Sequence, residues 1–115
     1  MKVIIAGGRD FKDYDRLSKV CKKILLEQTD IEIVSGTANG ADKLGERFAA
    51  KNNYSVKKFP ADWDKFGKSA GHIRNAEMAK YADALISFWD RKSKGTESMI
   101  NLAKRNKLKV RVIYY

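Results

Sequence analysis

The chain has 115 residues, of which 43% are apolar and 33% charged. That length holds one hydrophobic core and not two, that composition excludes a disordered chain, and no apolar run approaches the roughly 20 residues of a membrane span. The net charge of +10 attracts nucleic acid, anionic membrane and phosphorylated small molecules alike, and the basic residues are spread along the chain, so charge alone selects no partner.

One domain over residues 1–115 is expected. The opening segment has only four apolar residues, Val3 to Ala6, before its glycines, too few for a signal-peptide core, and reads as a first strand. The next apolar stripe, Leu17, Val20, Cys21, Ile24 and Leu25, has the i, i+3, i+4 spacing of one helix face. Cys21 falls on that stripe as a buried thiol. As the only cysteine it can form neither an internal disulfide nor a metal site alone, which fits the reducing cytoplasm.

Residues 31–36 form a second strand, followed by a helix carrying Leu44, Phe48 and Ala49, and residues 54–60 a weaker third strand expected at an edge. Residues 61–70, ADWDKFGKSA, read as one long loop folded over a site. A helix with Ile73, Ala76, Met78, Ala79 and Ala82 leads to a fourth strand at 84–89. A last helix with Met99, Ile100, Leu102 and Ala103 leads to a fifth strand at 110–115. Strands alternating with helices over the whole chain predict an α/β, Rossmann-like, doubly wound, five-stranded parallel sheet in order 3-2-1-4-5 with helices on both faces.

In such a sheet the ligand lies beyond the carboxyl ends of the strands, so each strand-to-helix joint is a candidate wall. The first offers Gly7, Gly8, Arg9 and Asp10, whose glycines bring amides toward an anion and whose arginine can grip a phosphate. The second, with Ser35, Gly36, Gly40, Ala41 and Asp42, brings small residues and hydroxyls to a helix start, where free N–H groups favour negative charge. The third carries Gly71, Arg74 and Asn75; Arg74 and Asn75 point about 100° apart, so one can face ligand while the other braces a loop. The fourth runs from Trp89 to Gly95 and Thr96, a further pair of amide and hydroxyl. His72 has no partner at metal spacing, and a capping or surface role is expected for it, with no metal site and no required cofactor.

The ordered motifs GGRDF, SGTANGAD, IRNAEMAKYADALISFWD and SKGTESMI resemble the YspA-type branch of the SLOG superfamily, which also contains the DprA/Smf proteins and the LOG phosphoribohydrolases. The resemblance implies a Rossmann-like fold that binds a nucleotide or nucleotide-derived phosphate ligand, as a sensor or as an enzyme of unassigned chemistry. A homodimer paired through helices is the assembly that relatives suggest. LOG-like hydrolysis of nucleoside monophosphates is one alternative. Arg74 matches the LOG arginine, but Met99 stands where that pattern has glutamate, and Glu97 comes two residues early. Weaker acid–base candidates for a hydrolase are Asp10, Asp42 and Glu97, with Arg74 orienting the phosphate. A second alternative is DprA-like nucleic-acid binding, with bases stacked on Trp63, Phe66 or Trp89. If Arg74 serves only the ligand, its removal should leave folding stability almost unchanged.

Overall fold

A computed structural model describes residues 1–115. Five strands, β1 (Lys2–Gly7), β2 (Glu32–Ser35), β3 (Ser55–Lys58), β4 (Ala84–Trp89) and β5 (Lys109–Tyr114), form one sheet in the order β3-β2-β1-β4-β5. Every neighbouring pair is parallel, with Ile4 opposite Val34 on one side and Leu85 on the other. The predicted order and direction of the strands are those observed.

Helices cover both faces, which is why the central strands read as continuous apolar runs. Side chains alternate across the strands. Val3, Ile5, Ile33, Ile86 and Phe88 meet Leu17 and Cys21 of α1 (Tyr14–Ile24) and Phe48 of α2 (Ala41–Lys51). Ile4, Val34 and Leu85 meet Met78 and Ala79 of α4 (Ala70–Tyr81) and Met99, Ile100 and Ala103 of α5 (Lys94–Arg105). Each such side chain removed from water contributes roughly 1.5–3 kcal/mol, so the two clusters fix the layers. β3 is an edge strand, as expected, and three of its four residues are exposed.

One segment departs from the sequence reading. Residues expected as a plain loop contain a helical turn, α3 (Trp63–Phe66), and a 3₁₀ turn at Gly67–Ser69 that runs into α4. The cause is local. The Asp62 side chain accepts a hydrogen bond from the Lys65 amide at 3.0 Å, an N-cap that starts the turn without any apolar stripe.

Reversal of strand order beside β1 opens the sheet's carboxyl edge between the exits of β1, β2 and β4. Gly40 closes one side of that opening. Its φ of 80° lies in the left-handed region, and a Cβ there would stand 2.2 Å from the Gly8 carbonyl oxygen, so the start of α2 can press against the β1 exit only with glycine at this point. No helix is long and apolar enough to cross a membrane.

Candidate functional site

A cleft of about 640 Å³ lies at the carboxyl edge of the sheet, floored by Ala6, Met78 and Met99. Its walls come from all the joints near the switch in strand order. Gly7, Gly8, Arg9 and Asp10 leave β1, Asp42 opens α2, Gly71, Arg74 and Asn75 belong to α4, and Gly95 and Thr96 begin α5. These ten residues, distant in sequence and each expected from its motif, line one cavity.

Five expected residues lie elsewhere. Ser35 is fully buried and turns its hydroxyl to Glu46 Oε2 at 2.6 Å, while also accepting from the Thr37 amide at 3.0 Å. It shapes the loop from beneath. Gly40 is occupied by the Gly8 contact, and the buried Ala41 donates its amide to the Gly8 carbonyl at 3.2 Å, so that amide is not free for an anion. Trp89 packs beside the Tyr114 ring and donates its indole N–H to the Ser93 carbonyl at 3.1 Å. Glu97 faces an adjoining hollow of about 250 Å³ together with Asn101 and Arg105, which shares His72, Lys94 and Ser98 with the main cleft. Gly36 lies between these groups, lining a side pocket of about 230 Å³ whose walls include Arg9, Ala38, Trp63 and Arg74, all shared with the main cleft.

Arg74 organises the centre. Its Nη1 donates to the Gly36 carbonyl and its Nε to Asn75 Oδ1 at 2.9 Å, while the Asn75 amide reaches the Gly95 carbonyl at 3.4 Å. Both side chains therefore brace loops, although only one was expected to. These bonds predict, against the expectation that Arg74 matters little to folding, that its removal lowers stability. Burial and the neighbouring Arg9 charge lower the Arg74 pKa, and the Asp42 carboxylate acts against them. Asp42 itself is buried, and burial raises its pKa to about 6 despite the Ala38 amide, at 3.2 Å, and the nearby Arg74.

Four cations, Arg9, Lys68, Arg74 and Lys94, stand in the cleft wall. None is in an ion pair; the two salt bridges of the molecule join Lys43 and Lys58 to Glu46. The three carboxylates of the wall already have protein donors. Asp10 accepts from the Tyr115 hydroxyl at 2.7 Å, Asp42 from Ala38, and Asp90 from the Lys92 and Ser93 amides at 2.8 Å each. The Ser93 and Lys92 bonds also lower the Asp90 pKa. Tyr115 is held above its ordinary value by burial and by its bond to Asp10.

Sequence reasoning missed Lys68, Lys94, Asp90 and Ser93 as wall residues. A signal for the last two was present, since Asp-x-x-Ser ahead of Gly-Thr is the pattern of an Asx turn feeding an N-cap, and Ser93 does accept from the Thr96 amide. His72 lines the cleft with Nδ1 3.1 Å from the Ser98 hydroxyl, a bond between helices α4 and α5. No group of three or more histidine, cysteine, aspartate or glutamate side chains is placed to hold a metal ion.

The model of the YspA, cpYpsA-related SLOG family matches residues 1–66. Gene 61 protein of Mycobacterium phage D29 is 30% identical over 111 residues, covering 90% of this chain and 89% of its own. The chain belongs to the YspA, cpYpsA-related SLOG family. This SLOG chain is also similar in fold to DNA processing protein A from Helicobacter pylori, whose solved structure is described by its single-stranded DNA binding mode, with a TM-score of 0.68 and 21% identity. The match takes in 97% of the SLOG chain and 64% of that neighbour.

Proposed function

We propose that this SLOG chain is a cytoplasmic binding domain for a nucleotide or nucleotide-derived phosphate ligand held in the 640 Å³ cleft. The observation that carries the reading is four wall cations without ion pairs, of which only Arg74 donates to protein acceptors, beside three carboxylates that each accept from a protein donor. A phosphate supplies what those cations lack. The amino ends of α4 and α5 add to the same field, because their first residues stand in the wall.

Binding is separated from LOG-like hydrolysis by the floor of the cleft. Met99 is buried there and offers no proton-transfer group, while Glu97 points into the outer hollow. Binding of a nucleoside monophosphate without rapid base release, followed by chromatography, is the expected result; fast release would reverse this assignment.

Gly95 supplies a test that leaves the fold alone. It lines the cleft at the start of α5, and a Cβ there would meet nothing within 4 Å. Gly95→Leu should keep its thermal midpoint and lose at least tenfold in affinity for a nucleotide panel by titration calorimetry. Unchanged affinity would remove the cleft from the function.

A second reading, binding of a single-stranded nucleic acid, is favoured by one observation. Trp63 and Phe66 are 51% and 38% exposed on α3, which also carries Lys65 and is followed by Lys68 in the 3₁₀ turn, an arrangement of stacking faces and cations. Counterion release makes such binding fall steeply with salt, whereas a small ligand responds far less.

A further inference from the structure

The main cleft and the side pocket share a partition made by Arg9 and Arg74, with the Trp63 indole as a common wall. From this juxtaposition we infer that the ligand carries a bridging phosphate, a diester or a pyrophosphate, gripped at the two arginines with one nucleoside-sized group in the cleft and a second in the side pocket. The inference rests on the phosphate-ligand reading above and narrows it.

Three observations carry it. Volume is the first: the 640 Å³ cleft is joined by a 230 Å³ side pocket through shared lining residues, and the two offer separate room for two nucleoside-sized groups. Position is the second. A terminal phosphate belongs at a closed end, yet both arginines stand on a partition with space on each side. The side pocket is lined by Gly36, Thr37, Asn39, Pro60, Ala61 and the indole, a mixture of one flat aromatic face with an amide and a hydroxyl that suits a heterocyclic base.

Charge is the third. Asp42 and Arg74 approach the same point, the Cβ position that Gly36 lacks, at 2.7 and 3.0 Å, and Asp42 projects its charge onto both arginines. Two arginines beside one carboxylate leave a net single positive charge at this point, which matches the single charge that each phosphate of a bridge carries.

The test compares three probes by titration calorimetry at constant ionic strength: AMP, the dinucleoside monophosphate ApA, and diadenosine 5′,5′-diphosphate. At least one bridged probe is expected to bind tenfold or more tighter than AMP. Filling the side pocket by Ala61→Trp, or independently by Asn39→Trp should either variant fail to fold, is expected to bring the ratio of bridged probe to AMP toward one. A 12-residue oligoadenylate distinguishes the source of the bridge: a steep gain over ApA assigns it to a nucleic-acid strand, and no gain to a free dinucleotide. AMP binding as tightly as both bridged probes, or an undiminished ratio in both tryptophan variants, overturns the bridge and leaves the phosphate cleft standing. Absence of binding by every probe overturns the phosphate reading itself.

Discussion

A methyl group on Gly36 would sit 2.7 Å from Asp42 Oδ2 and 3.0 Å from Arg74 Nη1. Both neighbours are held by other bonds, to the Ala38 amide and to the Gly36 and Asn75 oxygens, so neither can step aside cheaply. Gly36→Ala should cost about 1–3 kcal/mol, the range for overpacking, and disturb both charged groups at once. Arg74→Ala removes two bonds from a charged donor and should cost about 1.5–3 kcal/mol in chemical denaturation as well as weakening the ligand. Stability equal to wild type would show that these bonds do not survive in solution. Asp42 gives a pH signature. Its folded pKa of about 6 stands above the ordinary 3.8, so the folded state keeps a proton that the unfolded chain releases. The resulting stability is fully present below pH 3.8, declines as pH rises and is gone above about 6, a difference on the order of 3 kcal/mol. Urea melts of wild type and Asp42→Asn between pH 4 and 7 should converge at the acid end and separate toward neutrality, with the variant the more stable there. Parallel curves would mean that Asp42 does not titrate in this range. Burial opposes this charge, while Arg74 and Arg9 favour it and Glu46 disfavours it.

At the scale of elements, α2 and β1 meet at Gly45, where a Cβ would lie 2.8 Å from the Ile5 Cβ. Two effects compete in Gly45→Ala. Helix propensity favours alanine by about 0.5–1 kcal/mol, and overpacking against a fully buried strand residue costs about 1–3 kcal/mol. Overpacking wins, so the thermal midpoint should fall; a rise would mean that the helix can slide off β1 freely. The elements legible in the sequence were those with two-faced burial or a clean stripe, such as β4 with five buried residues of six, or α1 with Leu17 and Cys21. The turn at Trp63–Phe66 was not legible because it buries no residue, and periodicity reads only burial. Cleft residues announced by glycine or arginine at a strand exit were found in the same way. Lys68 and Lys94 were hidden, since in a chain with 24 basic residues nothing local separates a lysine facing the cleft from one facing water. Ser35 and Ala41 erred in the opposite sense, because a small residue at a helix start has the same composition whether its polar groups face a ligand or a neighbouring loop.

For the molecule as a whole, the charge of +10 decides how binding should be measured. A bridged dinucleotide touching two arginines releases few counterions, so its affinity should change by about tenfold or less between 50 and 200 mM salt, whereas a strand contacting six or more cations should lose about a thousandfold. A steep salt dependence for the small probes would mean that the general field of the protein, and not the cleft, holds them. The core supplies the means to see binding of any kind. Cys21 lies at the centre of the cluster between α1 and the sheet, fully buried, with its thiol pushed up to about 12 by burial. In the closed molecule it is neither reachable nor ionised, so a thiol reagent can modify it only when the core opens. Its modification rate is therefore a clock for opening. A ligand that binds only the folded form slows that clock by the factor 1 + [L]/Kd, and one buried cysteine outside the cleft lining turns the whole molecule into its own binding sensor.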